Sequence, residues 1–134
     1  MKALIDSDVC LDFITGRKPH FNTSTKLFNE IYESELTAVA SPDSFLTMFY
    51  ILRQQYDAKK VIPKLKALRS LCSVLPLTEK HIDLALDSGW DDFEDAMQLF
   101  CARAANCNAI ITRNVKDFSK SSLPVFTPFD FLDR

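Results

Sequence analysis

What most limits the fold of this chain is a set of short apolar runs spaced widely along it. KALI at 2–5, LTAVA at 36–40, SVL at 73–75, AIIT at 109–112 and PVF at 124–126 are each too short to be helices. They are apolar on successive residues rather than on alternate ones, which is how a strand covered on both faces reads. Helical periodicity fills the intervals. The spacing predicts helices over 8–15, ended by Thr15-Gly16, and from Asn22 or Ser24 to about Ser34, with Leu27, Phe28, Ile31 and Tyr32 on one face. Ser41-Pro42-Asp43 starts another, carrying Phe45, Met48, Phe49, Ile51 and Leu52. Further helices are expected over 57–71, from Thr78 to Ser88-Gly89, from Asp91 through Asn106, and after Thr127-Pro128. Strands alternating with helices imply an α/β fold: a parallel sheet of about four or five strands flanked by helices. No repeat or linker interrupts the pattern, so residues 1–134 are expected to be one domain.

Composition narrows the chemistry. Two glycines in 134 residues argue against a glycine-rich phosphate loop. A net charge of -2 supplies no overall basic field for nucleic acid and leaves local patches as the means of binding it. Cys10, Cys72, Cys101 and Cys107 form no CxxC pair and sit in or beside apolar segments, as buried free thiols do. His20 and His81 lie in polar contexts with no zinc spacing. The first apolar run meets an acid within five residues and no run is long enough to span a bilayer, so a cytoplasmic protein with no membrane association is expected.

Acids gather where such a fold binds ligands, beyond the carboxyl ends of its strands. Asp6 ends the first strand, and Asn114 and Asp117 follow the 109–112 strand. If those two strands are neighbours, the three residues share one edge. In WDDFEDAMQLF, residues 90–100, Asp92 and Asp95 share a helical face. Capping or solvation explains Asp91 and Asp92 well and explains Asp95, further inside, poorly. Clustered carboxylates suit Mg²⁺ or Mn²⁺, hard cations able to serve phosphodiester cleavage without His or Cys.

LIDSDVCLDF, SPDSFLTMFYILR, DFEDAMQLFCARAANCNAIITRNVKDF and LPVFTPFDFL, in this order, resemble PIN-domain proteins. This is the fold of many prokaryotic metal-dependent ribonucleases, including VapC-like toxins of toxin–antitoxin pairs. The resemblance implies that the first and fourth strands lie side by side over an acidic pocket. It places the family's first acid on Asp6, a polar follower on Asp8, the late-helix acid on Asp95, and the residues after the fourth strand on Asn114 and Asp117. Asp6, Asp95 and Asp117 would hold Mg²⁺ or Mn²⁺, with Asn114 among the catalytic residues. Thr47 stands where many members carry Glu, and Asn114 where some carry Asp. Asp92 would partly restore the missing charge. The implied substrate is RNA, and the implied partners are an antitoxin and a second copy of the chain, with the Phe- and Tyr-rich helices between about 22 and 56 offering the surface.

Other residues read two ways. Asp8 either completes the pocket or caps the next helix. Thr112 either bonds at the pocket mouth or ends its strand. Arg113 either touches RNA phosphate or is ion-paired. Asp12 shares the face of Asp8 or pairs with Arg17, and Trp90 stacks a base or packs. Lys59, Lys60, Lys64, Lys66 and Arg69 form an RNA-backbone patch or a solvated face. Two other functions compete. LIDSDVCL resembles the opening of haloacid-dehalogenase-like phosphatases, with an Asp nucleophile and an acid/base two residues on. Their late acidic motif should follow a strand, whereas DDFED opens a helix. The other is a catalytically weakened PIN-like module that binds RNA or a partner.

Overall fold

The computed structural model describes residues 1–134. Five parallel strands, β1 (Lys2–Ile5), β2 (Thr37–Ala40), β3 (Cys72–Val74), β4 (Ala109–Ile111) and β5 (Val125–Phe126), lie in the order β3-β2-β1-β4-β5. Seven helices flank them: α1 (Ser7–Thr15), α2 (Phe21–Tyr32), α3 (Pro42–Arg53), α4 (Ala58–Leu71), α5 (Glu79–Leu86), α6 (Phe93–Ala104) and α7 (Pro128–Leu132), with a 3-10 turn at Val115–Phe118. The α/β architecture expected from the sequence is present, at the upper strand number. No helix is long and apolar enough to cross a membrane.

Alternate strand residues enter two cores, which explains the unbroken apolar runs. Ala3 and Ile5, Ala38 and Ala40, and Ala109 and Ile111 pack with Val9, Phe28, Met48, Val61, Leu68 and Phe131 from α1, α2, α3, α4 and α7. The alanines let these helices approach, and the large side chains come from the helices. Leu4, Val39 and Ile110 face the other way, against Leu99, Cys101 and Ala102 of α6 and against Phe118. Trp90 meets Phe118 edge-on, with ring centroids 5.8 Å apart, so the lone tryptophan is a packing residue. All four cysteines are buried and free.

Several helix ends differ from the sequence expectation. α2 begins at Phe21, ahead of Asn22 and Ser24, and the Ser24 hydroxyl donates back to the Phe21 carbonyl (3.0 Å) instead of capping. Ser41 precedes α3, but its hydroxyl pairs with that of Ser44 at 2.9 Å, both buried, and caps nothing. Of the two acids expected to cap α6, Asp91 and Asp92, it is Asp92 that does so. That helix stops at Ala104 because Asn106 adopts φ 58°, and Cys107 N–H donates to the Ala102 carbonyl at 2.9 Å as the chain turns into β4.

The strand order carries the functional consequence. From β1 the chain builds outward through β2 and β3, then returns to the opposite side of β1 for β4 and β5. The crevice between the carboxyl ends of β1 and β4 is therefore the point where the winding reverses, and parallel sheets bind ligands there.

Candidate active site

Asp6 sits at the centre of that crevice. Its N–H continues the sheet ladder by donating to the Ile111 carbonyl (2.9 Å), and its extended backbone makes it the N-cap of α1. Oδ1 accepts from Ser7 N–H (2.8 Å) and from Gln98 Nε2 (3.0 Å), and Oδ2 accepts from the Thr112 hydroxyl (2.7 Å). These three donors fix the carboxylate and leave room for one more contact. The Thr112 oxygen in turn accepts from Asn114 N–H at 3.0 Å, so the same hydroxyl fixes the loop after β4.

Asp8 projects from the first turn of α1, where Oδ2 accepts from Arg113 N–H (3.3 Å) and Asn114 Nδ2 (3.1 Å). Its other oxygen is buried without a partner. Burial, then the Asp6 charge, pushes its carboxyl up to about 6. Asn114 is thereby engaged with Asp8 and is exposed. Arg113 follows the ion-paired alternative: its Nε lies 2.8 Å from Asp12 Oδ2, while Arg17 Nε lies 2.9 Å from Asp12 Oδ1. Asp12 itself is 1% exposed.

The opposite wall belongs to α6. Asp92 Oδ1 accepts from Asp95 N–H at 2.9 Å, and this is the capping role anticipated for the acids at the helix start. The side chain of Asp92 is thus spent on its own helix, yet its charge still bears on its neighbours. The carboxyl of Asp95 is pushed up to about 7 by burial and then by Asp92, Asp6, Asp117 and Glu94. Asp117, on the exposed 3-10 turn, contributes by its charge.

Two acids here escaped the sequence reading. Glu94 is half-buried, and Thr47 Oγ1 on α3 donates to its Oε1 at 3.4 Å. Burial and the charges of Asp43 and Asp6 raise its pKa, while the Thr47 bond opposes them. Asp43 has a buried oxygen, Oδ1, without a partner. The carboxylate absent at Thr47 is thus answered across the crevice by one from α6. In the sequence Asp43 has the position of a helix-start acid, and Glu94 stands between Asp92 and Asp95, which draw the attention. Gln98 was also missed. It is 1% exposed, three residues beyond Asp95 on the same helix face, and that spacing within an apolar run is the signal that could have found it.

No three His, Cys, Asp or Glu side chains converge to coordination range. The donor chemistry nonetheless fits a hard divalent cation: every group is an oxygen donor, and Asp8 and Asp43 each hold a buried oxygen without a partner. Such an ion needs only one or two direct carboxylates, with water completing its shell. Asp6, Glu94, Asp95 and Asp117 are the residues that could hold it.

Comparison with known proteins agrees with this fold. The VapBC-1 structure from nontypeable Haemophilus influenzae superposes with a TM-score of 0.71 at 16% identity, covering 96% of this chain and 99% of that one. A toxin–antitoxin complex from Klebsiella pneumoniae gives 0.69 at 19%, covering 94% and 97%. Mycobacterium tuberculosis VapC20, described as a sarcin–ricin-loop-cleaving toxin, gives 0.64 at 13%, covering 81% and 86%. At these identities the likeness is one of fold. No curated protein sequence matches the chain significantly. The PIN domain family profile matches residues 2–116, most of the chain, and so the chain belongs to the PIN-domain family.

Proposed function

We propose that this chain, as one PIN-like domain over residues 1–134, is a metal-dependent endoribonuclease and the toxin of a toxin–antitoxin pair. The observation that carries this reading is the crowding of Asp6, Glu94, Asp95 and Asp117 at the β1/β4 crevice, with Asp95 pushed up to about 7. Carboxylates that repel one another without a countercharge are what a divalent cation relieves.

Asp6, Asp95 and Asp117 would ligate Mg²⁺ or Mn²⁺, and Glu94, held by Thr47, would supply the carboxylate that α3 lacks. When bound, the cation would polarise the phosphodiester and acidify an attacking water. The chain's own residues do the positioning. Gln98, Thr112 and Ser7 N–H orient Asp6. Asn114 and Arg113 N–H orient Asp8. The Asp92 cap fixes the start of α6 and hence Asp95. The free edge of the Arg113 guanidinium would meet RNA phosphate.

An antitoxin or a second copy of the chain would cover the apolar residues that α2 and α3 leave exposed: Tyr32, Leu46, Tyr50 and Ile51. Phe28 is instead in the core, with Phe45 and Phe49 packed against it, so the surface is smaller than the aromatic content of 22–56 suggests. The four buried free thiols favour the cytoplasm.

The test is cleavage of a mixed RNA pool by purified protein with Mn²⁺ or with chelator, alongside Asp6→Asn. Metal-dependent cleavage that the variant loses, with its fold retained by circular dichroism, supports the nuclease. Wild-type cleavage by Asp6→Asn removes Asp6 from the mechanism. The second reading is a PIN-like module that binds RNA or a partner without turnover. It draws on the absence of three convergent ligands and on the engagement of Asn114 with Asp8. A folded protein with neither cleavage nor Mn²⁺ binding would select it.

A further inference from the structure

Beside the acid edge lies an open cleft of about 330 Å³, walled by α1, α2, α7 and the loop after β4. His20, Thr23, Arg113, Asn114, Thr127 and Phe129 line it. Its size falls in the ordinary range of small-molecule sites. Asn114 is common to both places: its amide donates to Asp8, and its side chain borders the cleft. Whatever enters the cleft therefore extends directly from the crevice.

Three observations fix the chemistry of the occupant. First, the wall presents the edge of a guanidinium. Asp12 lies between the Arg17 and Arg113 guanidiniums, and the Arg113 charge also bears on Asp8, so the four groups nearly balance and what the wall offers is a free guanidinium edge. Arg113 Nη2 donates to Asp12 Oδ1 at 3.5 Å, Nε lies 2.8 Å from Oδ2 without making a hydrogen bond, and Nη1 makes none within the chain. Second, Phe129 is 66% exposed on the five-residue helix α7, where it serves no core, while its neighbours Pro128 and Phe131 are buried. Third, the far side of Phe129 borders a second cleft of about 390 Å³, where Lys26 is the cation and Asp133 the one carboxylate of the lining. Arg113, an exposed aromatic ridge and Lys26 thus follow one another away from the acids. Alternation of cationic and aromatic groups is how proteins track a single strand, holding phosphates by charge and bases by stacking. A peptide would ask for an apolar trough, and this cleft has one apolar aromatic wall among polar groups.

We propose that this cleft is a nucleotide subsite for single-stranded RNA: the base next to the reacting phosphate stacks on Phe129, its phosphate pairs with Arg113, and the strand leaves past Lys26. The proposal rests on the nuclease reading for its direction, since the strand is taken to start at the acid edge. Arg17 is a positioning residue here: it shares Asp12 and so frees the charge of Arg113.

The experiment uses the full chain and a fluorescein-labelled RNA tetranucleotide, with binding followed by anisotropy in EDTA so that nothing turns over. Phe129→Ala is the primary variant, because the side chain is exposed and belongs to no core, so the fold should be kept, as circular dichroism would check. Binding should weaken about fivefold or more, the effect of one lost base stack. Lys26→Ala should weaken it less and reduce its salt dependence. Cleavage of the RNA pool with Mn²⁺ is measured on the same preparations, where Phe129→Ala should raise KM and leave kcat near wild type. If binding and KM are unchanged in Phe129→Ala, the subsite is wrong, and Phe129 is left to a protein contact. Should cleavage still require Mn²⁺ and Asp6, the nuclease reading survives that result. Conversely, tetranucleotide binding lost in Phe129→Ala, with no cleavage under any metal, keeps the subsite and overturns the nuclease.

Discussion

Asp12 and Asp95 flank the same crevice, and the more deeply buried of the two is the one at rest. Asp12 is 1% exposed, yet guanidiniums at 2.9 Å and 2.8 Å meet both of its oxygens. Asp95 is half-buried, and burial followed by the charges of Asp92, Asp6, Asp117 and Glu94 pushes it up to about 7. Depth alone does not mark a functional acid. What marks it is burial without countercharge, which costs stability unless a ligand supplies the charge. The wall built by α1 is thus a finished structural element, and the wall built by α6 is an unbalanced one.

The largest effect expected from this contrast is at Asp12. Asp12→Asn leaves two guanidiniums facing a neutral amide and should cost about 3 kcal/mol, the scale for breaking a buried ion pair. Thermal unfolding should show a fall of about 10 °C in Tm. An unchanged Tm would mean that the wall built by α1 is not held by that cluster.

Divalent cation comes next. Mn²⁺ at about a hundred times its Kd should raise wild-type stability by about 2.7 kcal/mol at pH 8, and Asp95→Asn should lose most of that gain. A wild-type Tm indifferent to Mn²⁺ and Mg²⁺ would break the claim that the α6 side is waiting for charge.

The metal-free protein supplies a third comparison, of opposite sign to the first. The pKa of Asp95 is raised in the folded chain, from the ordinary 3.8 to about 7. As pH climbs through that window the unfolded chain releases its proton first, so stability falls until about pH 7 and is flat above it. Asp95→Asn should therefore raise Tm by about 2–4 °C at pH 8 and leave it unchanged near pH 4. Asp8, raised to about 6, adds to the same slope up to that pH.

Glu94 and Thr47 sharpen the picture further. Glu94→Gln should weaken Mn²⁺ binding by calorimetry about tenfold, the loss of one carboxylate ligand, and Thr47→Glu in that background should recover much of it. Failure of the second change to restore affinity would show that the two helices do not address the same point. Asp92→Ser should do least to stability: it keeps a capping side chain on Asp95 N–H while removing a like charge, so Tm should move by about 1 °C or less.

Sequence alone carried the architecture because its signals are local. Unbroken apolar runs demand a sheet covered on both faces, Thr15-Gly16 ends α1 with Gly16 at φ 69°, and Thr127-Pro128 opens α7. It also placed Asp6 at a strand end and Asp95 within a helix start, since both are facts of position along one element. It could not decide partners. That Arg113 would turn to Asp12, that Asn114 would turn to Asp8, and that Glu94 on α6 would meet Thr47 on α3 all depend on elements brought together by the strand order. Side-chain charge is written in the sequence, but its free energy depends on solvent exclusion and on the nearest opposite charge, and only the packed fold determines these.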